Sequence, residues 1–137
     1  MAKKVAVVFA ALMLALSTQA FAETFRIYGF NSRTRTHNVF LGTFEVRNNQ
    51  INEACRHQRY SIFNQHGRHG SQHQRYSIWN NHGNFGSAHS SISARNPHAS
   101  NPPVIVNSRR QEVGTLTNNR HRRNTQFGTS VSNILRL

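Results

Sequence analysis

The chain has 137 residues, seventeen Lys and Arg, four acidic residues, nine His and one Cys, with a formal net charge of +13. A single Cys rules out an internal disulfide framework, and a near absence of carboxylates argues against glycosidase and two-metal chemistry, both of which need paired acids. So large a positive surplus favours anionic partners such as nucleic acid, lipopolysaccharide or a cell-wall polymer, with plain solubility as the bland alternative.

Residues 1–22 read as a cleavable secretory signal. Lys3 and Lys4 precede an apolar run from Val5 to Leu16, a polar break follows at Ser17, Thr18 and Gln19, and Ala20-Phe21-Ala22 supplies small residues at the cleavage positions. Twelve apolar residues fall short of the roughly 20 that cross a membrane, and no second apolar stretch follows. The expectation is an exported protein, periplasmic or secreted, with a single small domain at 23–137. Without Lys3 and Lys4 the basic residues are fifteen Arg, set against Glu23, Glu45, Glu53 and Glu112, a net of +11. Arginine binds phosphate and carboxylate bidentately and stacks on flat rings, so an all-arginine inventory leans toward recognition.

The fold class expected is mainly β, with a small α+β arrangement as the variant. Thr24–Asn31 is rich in strand formers and would place Phe25 and Ile27 on one face and Arg26, Tyr28 and Phe30 on the other. Ser32 to His37 is polar and leads into Val39–Val46, giving one antiparallel hairpin. Cys55 and His57 lie close in sequence, but nothing around them has the context of a nucleophile and its base.

A repeat of period 16 follows. Residues 57–72 and 73–88 share eleven of sixteen positions, including His-Gln-Arg-Tyr-Ser-Ile, then Phe63 or Trp79, Asn64 or Asn80, His-Gly and Gly-Ser; a degraded third copy at 89–100 keeps His89, Ser93, Asn96 and His98. Each unit is expected to pair a short extended piece with a glycine turn whose backbone geometry other residues resist. In that extended piece Tyr60 and Ile62 would point one way and Ser61 and Phe63 the other. Two and a half units are too few to stand alone, so this inserted glycine-turn region should wrap against the sheet. Its aromatics read first as core.

Beyond Asn101-Pro102-Pro103, Pro103–Val106 and Val113–Thr117 flank the polar Asn107–Glu112 as a second hairpin, which could share one sheet with the first. Thr129 or Ser130 would cap a short C-terminal helix carrying Val131, Ile134, Leu135 and Leu137.

The run Tyr60–Ser71, its echo at 76–87 and the later Asn101–Val106 resemble a loose group of small bacterial proteins with repeated S-I-x-N-x-x-G-x-x-G-S units, over residues 39–117. Where that group often carries Tyr, this chain has His66, His69 and His82; where it often carries a Cys pair after the equivalent of Phe40-Leu41-Gly42, this chain has Thr43 and Val46. The resemblance therefore implies architecture and transfers no activity, metal role or disulfide.

Three chemistries compete. Arg59, Arg68 and Arg75 recur beside Tyr60, Tyr76 and Trp79, and Arg120, Arg122 and Arg123 form a dense basic tract, the combination that neutralises a polyanion and stacks on its bases. Binding of an anionic polymer or surface without catalysis and without a cofactor is the leading expectation. His66, His69 and His73 are the candidate ligands for Zn, Cu or Ni. A small secreted ribonuclease, using a His acid and base with an Arg, is the third reading, although no motif places such a pair.

Overall fold

The computed structural model describes residues 22–48 and 50–119. Most of the predicted signal segment, the predicted C-terminal helix and Arg120, Arg122 and Arg123 lie outside the described residues. What is described is mainly β. One antiparallel sheet contains β1 (Ala22–Asn31), β2 (Thr36–Arg47), β3 (Gln50–Ile51), β4 (Val104–Val106) and β5 (Glu112–Thr115), in the order β3-β2-β1-β4-β5. Both expected hairpins form and share this sheet, joined by pairing of Ile27 with Ile105.

The first turn is shorter than the polar run suggested. Pairing continues to Asn31 opposite Thr36, leaving Ser32–Arg35 as the turn. Arg35 takes a left-handed conformation (φ 56°) while its amide donates to the Asn31 carbonyl at 2.7 Å. His37 joins the strand because its ring packs edge-on against Phe30 and its Nε2–H donates to the Pro102 carbonyl. The β4–β5 turn is organised by Asn107, whose Oδ1 accepts from the amides of Arg109 and Gln111. These are the local side-chain bonds that make Asn a turn former.

The repeat region, which joins β3 to β4 across the sheet, departs from the extended-plus-turn expectation. It is a coil of consecutive turns. Amide-to-carbonyl bonds step from Gln58 to Ser61, Asn64 and Gly67 in threes, then to Ser71 in four and to Gln74 in three. Those steps sum to 16 residues, which is the physical origin of the period. Side chains enforce the turning. Ser61, Ser77 and Ser93 each accept, through Oγ, the amide two residues on, and Asn64, Asn80 and Asn96 do the same through Oδ1. Each Asn also donates from Nδ2 to the carbonyl six residues earlier. Such local bonds compete with extended pairing and close the chain at every step. The 89–100 copy, degraded in sequence, retains all three Ser and Asn bonds and forms a third coil.

The predicted alternation of faces fails for the same reason. Ser61 and Ile62 are both buried, and in the next coils so are Ser77 with Ile78 and Ser93 with Ala94. Tyr60 is 51% exposed. The glycines are also required for a different reason from the one expected: among them only Gly42 has positive φ (114°). At Gly70 and Gly86 the constraint is space, because a Cβ would lie 2.1 Å from the Asn64 carbonyl oxygen and 2.3 Å from that of Asn80.

The coil packs on the sheet as expected. Phe25 and Ile27 of β1 and Leu41 and Phe44 of β2 share one core cluster with Ile62, Ile78, Phe85 and Ala94 of the coil and with Ile105, Val113 and Leu116. Both ends of the stack are closed by hydrogen bonds. Thr43 of β2 bonds through its amide to the Tyr60 carbonyl and through its carbonyl to the Ile62 amide, while the Asn118 amide donates to the Ala94 carbonyl. Capping by the sheet at one end and by the chain after β5 at the other explains how three short coils persist, since an uncapped stack would leave backbone groups unpaired. Among the described residues no helix is long and apolar enough to cross a membrane.

Candidate anion-binding groove

Where the first coil meets β2 the surface opens into a groove of about 950 Å3. Val39 and Phe40 form its strand side; His57, Arg59, Tyr60, Asn64, His66, Gly67, Arg68 and His69 come from the first coil, and Tyr76 from the second. Gly42 makes the junction close. A Cβ there would lie within 3 Å of His69 Cβ, Ile62 Cγ2 and the Tyr60 carbonyl.

Aromatic rings build the floor. Phe40 packs edge-on against His69 at 4.9 Å and Tyr60 at 5.8 Å, and Tyr28 of the neighbouring strand lies 5.8 Å from Phe40. This holds the otherwise exposed Tyr60 ring in place. The guanidinium of Arg59 lies 5.5 Å from the centre of Tyr60, and those of Arg68 and Arg75 lie 5.8 and 5.5 Å from the centre of Tyr76. Cation–π attraction at this distance holds each guanidinium beside its ring without using its N–H donors. Arg75 also lines an adjoining depression of about 400 Å3 with Arg33, which shares Val39 and Tyr76 with the first. Among the described residues no carboxylate lines either one. Two cations against one ring repel each other without a counter-charge, and a bound anion removes that cost.

Five residues expected in one anion site, Arg59, Arg68, Arg75, Tyr60 and Tyr76, are thus brought together. Trp79 is not. Its indole lies on the other flank of the coil, in a separate groove of about 790 Å3, with Nε1–H donating to the Ile62 carbonyl at 2.7 Å. The reason is the period: sixteen residues after Phe63, Trp79 occupies the same corner of the coil as Phe63, away from Tyr60. Sequence reasoning missed Phe40 and Asn64. Phe40 read only as a strand residue, and its contact with Tyr60 depends on the β2–coil junction, which local pattern does not reveal.

The proposed metal set is also taken apart. His69 is buried, its Nδ1–H donating to the Tyr76 carbonyl at 3.1 Å, whereas His66 and His73 are exposed on the coil surface. Among the described residues no three His, Cys, Asp or Glu side chains are placed to hold a metal ion. Burial holds the His69 pKa below the usual histidine value; the Tyr76 hydrogen bond opposes this, and the nearby Arg68 charge adds to it. Burial thus favours the neutral form of His69, whose ring braces the groove by packing on Phe40 and bonding to the Tyr76 carbonyl. Comparison with protein-family models, with curated proteins and with solved structures finds no match for this chain.

Proposed function

We propose that this is an exported protein that binds an anionic polymer or surface through the arginine–tyrosine groove, without catalysis. The observation that carries the reading is the set of guanidiniums on Tyr60 and Tyr76, bordering a groove that no carboxylate lines. Guanidiniums suit phosphate, carboxylate or sulfate groups, and the exposed Tyr60 ring adds a stacking surface beside them. The test is retention on heparin, DNA and lipopolysaccharide across a salt series, against a lysine-rich protein of equal charge. Retention to clearly higher salt on one ligand supports recognition and names its class; elution with the reference on all three removes it.

One observation favours a second reading. His57 and His66 line the same groove as Arg59 and Arg68, the residue types of a metal-independent ribonuclease. Incubation with labelled RNA and a chelator tests it, and intact RNA disposes of it.

A further inference from the structure

The groove on the other flank of the coil has chemistry of a different kind. Phe63 and Trp79, one repeat apart, provide its apolar wall. The Trp79 Nε1–H is already bonded to the Ile62 carbonyl, which fixes the indole and leaves its apolar atoms for the groove. Around it stand the side-chain amides of Gln65 and Gln72, both exposed and without a hydrogen bond among the described residues, and the imidazoles of His66 and His73. Among the described residues no guanidinium lines this groove, and Glu53 is the one carboxylate that does.

That set fits a neutral, polyhydroxylated ring. The C–H face of a pyranose packs on an indole, and its hydroxyls both donate and accept, as side-chain amides do, with imidazole nitrogens as further partners. A phosphodiester would find no guanidinium among the described residues here. An apolar wall facing a mainly polar rim, in an open groove of about 790 Å3, gives room for a ring that is apolar on one face and polar at its edge. His66 lines both grooves, so the two meet at that residue. We propose that this second groove binds a sugar ring, and that the polymer engaged by the protein is an anionic glycan whose acidic groups lie in the arginine groove. The second half of that statement rests on the anion-binding reading; the sugar site does not.

Trp79 is the single Trp of the chain, so its emission reports on this groove alone. The purified protein is titrated with chitohexaose, cellohexaose and maltohexaose in about 0.5 M NaCl, where charge interactions are screened beyond about 4 Å. The expected result is a saturable change in emission with at least one hexaose, matched by calorimetry. Gln65→Ala with Gln72→Ala should weaken that binding at least fivefold, and Arg59→Ala with Arg68→Ala should leave it unchanged. Both Gln side chains are exposed, and circular dichroism checks that the double variant is folded. No saturable signal from any hexaose up to about 10 mM, or equal loss in the arginine variant, overturns the sugar site. An emission change with uridine nucleotides in place of the hexaoses also overturns it. Retention on heparin is read separately: its failure with hexaose binding intact removes the anion reading and the shared polymer, while the reverse result removes only the sugar site.

Discussion

The stacked-coil geometry makes a sharp prediction at its glycines. Gly70 and Gly86 are one repeat apart, and neither has positive φ, so alanine is conformationally permitted at both. The obstacle is contact. A Cβ on Gly70 would lie 2.1, 2.5 and 2.6 Å from the O, C and N of Asn64, and one on Gly86 would lie 2.3 Å from the Asn80 oxygen and 2.7 Å from that of Ile78. Carbon makes good non-bonded contact near 3.5 Å, so these backbone atoms would have to retreat by about 1 Å. The Asn64 and Asn80 carbonyls also accept the amides of Gly67 and Gly83, at 2.9 and 3.0 Å, and such a displacement breaks those turns. Overpacking of about 1–3 kcal/mol plus a lost hydrogen bond of about 1 kcal/mol puts Gly70→Ala and Gly86→Ala at roughly 2–4 kcal/mol. For a domain near 100 residues that is a fall in Tm on the order of 10–20 °C. Gly67 and Gly83 are the controls. Their nearest neighbours are the Asn64 and Asn80 side chains at 3.1 and 3.2 Å, so an added Cβ there needs a shift of only a few tenths of an ångström. The entropy that alanine removes from the unfolded chain, about 0.4–1 kcal/mol, offsets part of that cost, so both variants should melt within a few degrees of the parent. Thermal denaturation followed by circular dichroism compares all four. Equal melting of the Gly70 and Gly67 variants would refute the stacked-coil account.

Ile78→Ala, at a fully buried position between Ile62 and Ala94 in the coil stack, should cost about 2–5 kcal/mol in urea denaturation. Asn80→Ala removes the bonds to the His82 amide and the Gln74 carbonyl and should cost about 1–3 kcal/mol, a loss that Asn80→Asp would recover only in part because the carboxylate replaces the acceptor and not the donor. His69 has a depressed pKa in the fold, so the unfolded chain binds more protons; its contribution to stability is complete above the ordinary histidine value and is lost as pH falls through that value toward the folded one. Urea midpoints should accordingly drop as pH falls below about 6.5, and NMR titration should find the His69 ring protonating below the ordinary histidine value. Replacing Arg59, Arg68 and Arg75 together by Ala should reduce the salt slope of binding to whichever polyanion retains the protein by about 3, with little change in Tm; an unchanged slope would place the binding surface elsewhere.

The alternating apolar residues of Phe25 and Ile27 announced the first strand, the polar run at 32–37 announced its turn, and the His-Gln-Arg-Tyr-Ser-Ile echo announced a repeat of period 16, all from local pattern. Local chemistry acts over a few residues, and sequence displays it directly. The conformation of the repeat was less legible, because Tyr-Ser-Ile-Phe has the composition of a strand, and what bends it is the Ser61 and Asn64 bonding of amides two residues ahead. Of the candidate site, sequence brought forward the arginines and tyrosines by their recurrence but placed Trp79 with them. Residue type and spacing by themselves therefore determined the strands, the positive charge, the repeat and the pairing of Arg with Tyr. The tertiary structure alone decided which corner of the coil each residue occupies, that His69 faces inward to Tyr76, and that Phe40 supports Tyr60, because those relations are set by how sixteen residues close one coil and by the docking of that coil on Thr43.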